Sequence, residues 1–96
     1  MPVDFRFEWD PFKAVANWQK HEVSFEEAVT AFLDENGRLM SDPDHSIDED
    51  RFVLLGLSSN LRVLVVCHCY RAASNVIRII SARRADKSER DQYGAN

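Results

Sequence analysis

The stretch Arg51–Ala85, RFVLLGLSSNLRVLVVCHCYRAASNVIRIISARRA, decides the fold. It holds three apolar runs, Arg51–Leu57, Leu61–Tyr70 and Asn75–Ala82, rich in branched residues and parted by short polar breaks. That is the pattern of consecutive strands. Ser58-Ser59-Asn60 reads as a hairpin turn and Arg71–Ser74 as a second turn, so the strands form an antiparallel meander. All three runs are apolar on both faces (Val53, Leu54, Leu55; Leu64, Val65, Val66; Val76, Ile77, Ile79, Ile80). Such strands belong to a sheet covered on both sides, or to its centre.

Toward the N-terminus the periodicity changes. Val3–Trp9 alternates, with Val3, Phe5, Phe7 and Trp9 on one side and Asp4, Arg6 and Glu8 on the other, as in a first strand. Asp10-Pro11 is an N-cap followed by proline at the first helical position. Phe12, Val15 and Ala16, continued by Gln19, form one face of a short helix running to about Lys20. Ser24 with Glu27 makes a capping box for a second helix, and Phe25, Ala28, Val29 and Phe32 supply its stripe. Asn36-Gly37 is expected to end that helix in the left-handed conformation. Arg38–Met40 reads as a short strand, and Asp42-Pro43-Asp44 as a turn into an acidic loop reaching Asp50. Beyond Asp86 a polar helix runs to a frayed Gly94-Ala95-Asn96. The order β-α-α-β-β-β-β-α, helices early and meander late, predicts an α+β fold.

A chain of 96 residues has room for one core, so residues 1–96 are expected to form one domain. No apolar run approaches the roughly 20 residues that span a bilayer, and MPVDFRFEWD lacks the order of a secretory signal. Cys67 and Cys69, two apart in a strand, point the same way in poor geometry for a mutual disulfide. A cytoplasmic location is the expectation. The net charge of −4 argues against a nucleic-acid partner when taken alone. Its distribution argues otherwise. Residues 1–50 carry 13 acids against 4 bases, whereas residues 51–96 carry 8 bases against 3 acids. The basic half suits a phosphate backbone and the acidic half a basic partner, unless helices merely happened to be acidic and late strands basic.

Alternation in the last strand places Ile77, Ile79 and Ser81 on one face and Val76, Arg78, Ile80 and Ala82 on the other. Arg78 therefore stands among apolar side chains, where it needs either a carboxylate such as Glu26 or Glu27, or a ligand oxygen. Arg83 and Arg84 follow on opposite faces, with Lys87 and Arg90 in the tail helix. As a group they form either a solvated basic face or a phosphate-binding one. Lys20-His21 sits at the junction of the two helices. It is either a decoration of the first helix's C-terminus or an exposed pair able to exchange protons and hold a phosphate. His68 shares a face with Leu64, Val66 and Tyr70, as a satisfied sheet histidine or the floor of a site. His45, in the acidic loop, carries no special expectation, and Trp9 and Trp18 read as core or interface aromatics. Cys67-His68-Cys69 cannot converge on one ion from a regular strand, so no metal site is expected and both cysteines read as core. Three scattered glycines exclude a phosphate-binding glycine loop, and no cofactor is expected.

From Phe7 to Tyr93 the segments FEWDPFKAVANWQKHEVSFEEAVTAFLD, DPDHS, RFVLLG and VIRIISARRADKSERDQY resemble, in order, the BrnT family of type II toxins. The resemblance implies a RelE-like fold and a ribonuclease that inhibits translation by cutting RNA. It implies a BrnA-type antitoxin with a ribbon-helix-helix DNA-binding domain, operator DNA being reached only through that antitoxin. Two positions depart from the family pattern. Glu22 stands where glycine is common and is expected to raise the His21 pKa or repel phosphate. Tyr70-Arg71-Ala72 stands where a Glu-Arg-Gly pattern is common.

On this resemblance, cleavage would use the RNA's own 2′-hydroxyl, with no metal. Arg78 and Arg83 would meet the phosphate, Lys20 would offset developing charge, and His21 or His68 would be the acid/base. Arg71, Arg84, Lys87 and Arg90 would bind RNA. Two other function classes remain compatible with the residues. One is a non-catalytic module gripping nucleic acid or protein with the same basic face. The other is a small metal-binding regulator built on Cys67–Cys69.

Overall fold

The computed structural model describes residues 5–42, 51–71 and 75–94. The expectations for Val3, His45, most of the acidic loop and the Arg71–Ser74 turn fall largely outside them. The elements come in the expected order: β1 (Arg6–Glu8), α1 (Pro11–His21), α2 (Phe25–Ala31), β2 (Arg38–Ser41), β3 (Arg51–Leu57), β4 (Val63–Tyr70), β5 (Val76–Arg84) and α3 (Lys87–Gly94). The five strands form one sheet in the order β1-β5-β4-β3-β2. Neighbours are antiparallel except β1 and β5, which are parallel with Glu8 opposite Arg78. The architecture is α+β, and the chain returns through the sheet centre as the apolar meander requires.

Both helix starts follow the capping rules. The Asp10 carboxylate accepts from the Phe12 N–H at 2.8 Å, and the Ser24 hydroxyl accepts from the Glu27 N–H at 3.0 Å. The ends differ from expectation. Helix α2 stops at Ala31 with Phe32 still right-handed, well before Asn36-Gly37, and Gly37 has no positive φ. The left-handed position lies instead after α1. Glu22 caps that helix at φ 55°, its N–H donating to the Trp18 carbonyl at 2.8 Å.

The helix-facing side of the sheet buries Leu54, Leu64, Val66, Ile77, Ile79 and Ala82 against Val23, Phe25, Ala28 and Ala31. Gly56 permits this approach, because a Cβ there would lie 2.8 Å from the Ala31 carbonyl oxygen. A smaller cluster of Leu55, Val65 and Ala85, with Val53, Val63 and Tyr93, lies on the opposite side. Tyr93 donates from α3 to Asp34, whose carboxylate also accepts from the Leu57 N–H. Helix α3 is thus tied down at its far end over part of that second face.

The alternation expected for β5 fails at one point. Cys67 pairs with Ser81 but His68 pairs with Ile79, so Ile80 is an extra residue in the ladder. This bulge reverses the facing of everything after it. Ile77, Ile79 and Ala82 therefore share the core face, whereas Ser81 and Arg83 join Arg78 on the opposite face. The expected row of Val76, Arg78, Ile80 and Ala82 does not exist.

The stripe of α1 is also reoriented. Phe12 is 85% exposed, Val15 58% and Trp18 54%, so the face expected from Phe12, Val15 and Ala16 points to solvent. The buried residue of α1 is Asn17.

Candidate active site

Asn17 explains why α1 lies as it does. Strand β1 pairs with β5 only as far as Arg78, leaving the edge of β5 open beyond it. The Asn17 side chain fills that edge as a strand neighbour would. Its amide nitrogen donates to the Ala82 carbonyl at 2.8 Å, and its oxygen accepts from the Ala82 N–H at 3.1 Å. The same nitrogen donates to the Val23 carbonyl at 2.9 Å, beyond the helix junction. One side chain thus fixes the α1–α2 junction against the residue preceding Arg83. It satisfies buried backbone groups that would otherwise be orphaned.

That anchoring brings Lys20-His21 to the β5 bulge. A cleft of about 220 Å³ is lined by Lys13, Ala16, Asn17, Lys20, His21, Ile80 and Ser81. His21 is half-buried. Burial, then the Lys20 ammonium, then the Arg83 guanidinium, holds its imidazole below the ordinary histidine value. The direction expected from Glu22 is therefore reversed: burial first, then two cations, outweigh the neighbouring carboxylate at His21. A larger cleft of about 480 Å³ lies on the open sheet face between Asp42, Arg51, Cys67, Ser81, Arg83 and Glu89. Ile80 and Ser81 line both clefts, so the bulge is their common wall.

Arg83 is aimed by α3. Glu89 takes both ends of its guanidinium, each at 2.8 Å, which holds Arg83 firmly charged. Glu89 is itself placed by a reciprocal cap, donating its N–H to the Asp86 carboxylate at 2.8 Å and accepting the Asp86 N–H at 2.9 Å. The helix start expected at Asp86 carries a legible capping box, Asp86-x-x-Glu89, which could have pointed to Glu89 from sequence.

The other expected residues fall elsewhere. Arg78 meets neither Glu26 nor Glu27; it bonds Glu8 at 2.8 Å, the residue opposite it in β1, and Arg71 shares that carboxylate at 3.1 Å. It stands on the same face as Arg83, five residues back along β5. Glu27 is taken instead by Arg62 and Ser58. Arg84 is exposed on the other parity of β5. On α3, Lys87 pairs with Asp91 at 3.2 Å, and Arg90 donates to the Ala85 carbonyl at 2.9 Å. His68 is fully buried on the helix-facing side, ringed by Phe32, Phe52 and Tyr70, and does not join His21 or Arg83. Cys69 is buried, whereas Cys67 lines the larger cleft, half-buried, and no group of three or more candidate ligands for a metal occurs among the described residues.

A family model described as the ribonuclease toxin BrnT of type II toxin–antitoxin systems matches residues 9–89. The chain belongs to the BrnT family. BrnT chains are thus ribonuclease toxins acting on RNA and paired with an antitoxin. The matched span includes α1, the bulge, Arg83 and Glu89, the parts from which both clefts are built. The fold is shared with the 1.1 Å crystal structure of the Brucella abortus ribonuclease toxin BrnT. The likeness has a TM-score of 0.65 at 21% identity and covers 88% of this chain and 100% of that one. No curated protein sequence matches the chain. Among the described residues, no helix of this BrnT chain is long and apolar enough to cross a membrane.

Proposed function

We propose that this BrnT chain cuts RNA by metal-independent transesterification at the β5 bulge, between the cleft of Lys20 and His21 and the cleft of Arg83. The observation that carries the proposal is the wall shared at the β5 bulge, where Ile80 and Ser81 line both the cleft holding Lys20 and His21 and the cleft holding Arg83. A depressed pKa leaves His21 neutral near pH 7 and able to take a proton. The RNA 2′-oxygen attacks phosphorus, its proton passes to His21, and the P–O5′ bond breaks. The departing oxygen takes a proton from Lys20 or water, leaving a 2′,3′-cyclic phosphate and a 5′-hydroxyl. Arg83 and Lys20 offset the charge gathered on the phosphoryl oxygens. Arg78, with Arg71, is assigned to the flanking strand of the substrate. Arg84, Lys87 and Arg90 are assigned to its outer phosphates.

The neutralising partner is proposed to be a BrnA-type antitoxin, whose ribbon-helix-helix domain would give the complex its only access to operator DNA. The site of action is the cytoplasm. A second reading, a non-catalytic binding module, draws on one observation: Glu89 already occupies both ends of Arg83.

The test is cleavage of a defined RNA by the purified chain in excess EDTA, with the new ends identified. Cyclic phosphate termini are expected, and His21→Ala should lower the single-turnover rate by about 10²–10⁴-fold. Full activity of His21→Ala, or dependence on added metal, would remove the mechanism.

A further inference from the structure

Helix α1 turns an uncharged side to solvent. At about 100° per residue, Trp18, Val15, Gln19, Phe12 and Ala16 fill one continuous arc of roughly 160°. Its apolar members are far too exposed for a helix that had found its partner within the domain: 85% for Phe12, 58% for Val15 and 54% for Trp18. The inward direction is given to Asn17, and no described residue covers the arc, which leaves Phe12, Val15 and Trp18 exposed. Large apolar side chains gathered on one exposed face mark an interaction surface, and tryptophan is a favoured anchor in such surfaces.

The border of the arc identifies the occupant. Lys13 and Lys20 flank it, and both line the His21 cleft together with Ala16. The apolar strip therefore runs without a break into a cationic pocket. A segment seated on it must be apolar in the middle and acidic along one side. A second copy of this chain docked antiparallel fails that requirement. In an antiparallel pairing of two α1 helices each flank meets the same flank of the other, setting lysines against lysines.

We propose that the outward face of α1 is the docking surface for the antitoxin. An amphipathic antitoxin segment covers Phe12, Val15 and Trp18, and its carboxylates enter the cleft at Lys13 and Lys20. Neutralisation then follows from geometry: the segment that grips α1 also fills the cleft where the RNA phosphate would sit. This rests on the ribonuclease reading, since it is that cleft whose occupation silences the toxin.

The experiment titrates the full chain with its cognate antitoxin as the probe, alongside the Val15→Glu and Phe12→Asp variants. Both positions are exposed, and circular dichroism confirms that each variant is folded. Val15→Glu should weaken antitoxin binding at least 30-fold, keep its RNA cleavage within twofold of the parent, and cut RNA in the presence of antitoxin. Trp18 emission in the parent should move to the blue on saturation. Antitoxin affinities within threefold of the parent for both folded variants would overturn the proposal. So would a loss of RNA binding in Val15→Glu as large as the loss of antitoxin binding, or micromolar self-association of the parent abolished by Val15→Glu. A parent that binds antitoxin through Val15 yet cuts no RNA would remove the ribonuclease reading and leave the docking surface standing.

Discussion

Two histidines with pKa values moved in the same direction have opposite meanings. His21 is lowered by partial burial at the mouth of a cleft and then by two cations. His68 is lowered by complete burial. Its Nδ1–H can donate to the Val66 carbonyl at 3.0 Å, whereas its Nε2 finds no partner among the described residues. Protonating it would place an unsolvated charge among Phe32, Phe52 and Tyr70. Because the folded pKa lies below the unfolded one, His68 favours the fold fully above about pH 6.5. That contribution falls away as the pH drops from there toward the folded pKa. Denaturant titrations of His68→Leu should therefore show a flatter stability profile below neutrality, with cleavage retained. A folded His68→Leu that no longer cuts RNA would return His68 to the acid/base role. Glu22 offers a second test at this scale. A side chain at φ 55° costs about 1–2 kcal/mol, against about 0.4–1 kcal/mol for the chain freedom that glycine adds to the unfolded state. Glu22→Gly should thus raise stability by up to about 1 kcal/mol, whereas Glu22→Val should lower it, both readable as midpoint shifts in urea. Glycine is what the backbone at position 22 asks for.

At the scale of elements, the order β-α-α-β-β-β-β-α was legible because each start carries its own chemistry: Asp10-Pro11, Ser24 with Glu27, and three apolar runs. What was not legible depends on contacts between elements. Nothing in NVIRIISARRA marks Ile80 as the extra residue; the bulge exists only as a mismatch with β4, and one skipped residue inverts every later assignment of face. The same limit hid Asn17, whose partners Val23 and Ala82 lie on other elements. The stripe on α1 misled for the complementary reason. Its pattern was apolar, but the described residues leave that face exposed and turn Asn17 inward. Gly56 tests how closely the layers are pressed. Gly56→Ala drives a methyl toward the backbone of Ala31, which is itself fully buried, so α2 must lift. A loss of about 1–3 kcal/mol is expected, lowering the melting temperature by about 4–8 °C per kcal/mol in a domain of this size. Gly94→Ala, with nothing within 4 Å, should change neither. Equal melting temperatures for the two variants would mean that α2 and β3 are not packed as described.

For the molecule as a whole, the charge asymmetry between the two halves of the sequence is folded inward as much as outward. Glu8 and Glu27 of the acidic half neutralise Arg71, Arg78 and Arg62 of the basic half. Conversely, Lys13 and Lys20 come from the acidic half and line the candidate site. The basic half was therefore a pointer to Arg83 and silent about half of the cleft. This distribution sets how RNA binding should respond to salt. Three cations on phosphates, Lys13, Lys20 and Arg83, give a slope of log affinity against log salt of about −2 for a single strand. Affinity would then fall about 20-fold between roughly 50 and 200 mM salt. Arg78 decides whether the footprint is longer. It stands on the same face about 15 Å from Arg83 along β5, two to three nucleotides away, but its fork is shared with Glu8. If an RNA phosphate draws it from that carboxylate, the slope steepens to about −3, and Arg78→Ala returns it to about −2. If Arg78 only staples β1 to β5, Arg78→Ala lowers stability and leaves the slope unchanged. Measuring the slope for the parent, Arg78→Ala and Arg83→Ala on one RNA separates these outcomes, because Arg83→Ala should flatten it in either case.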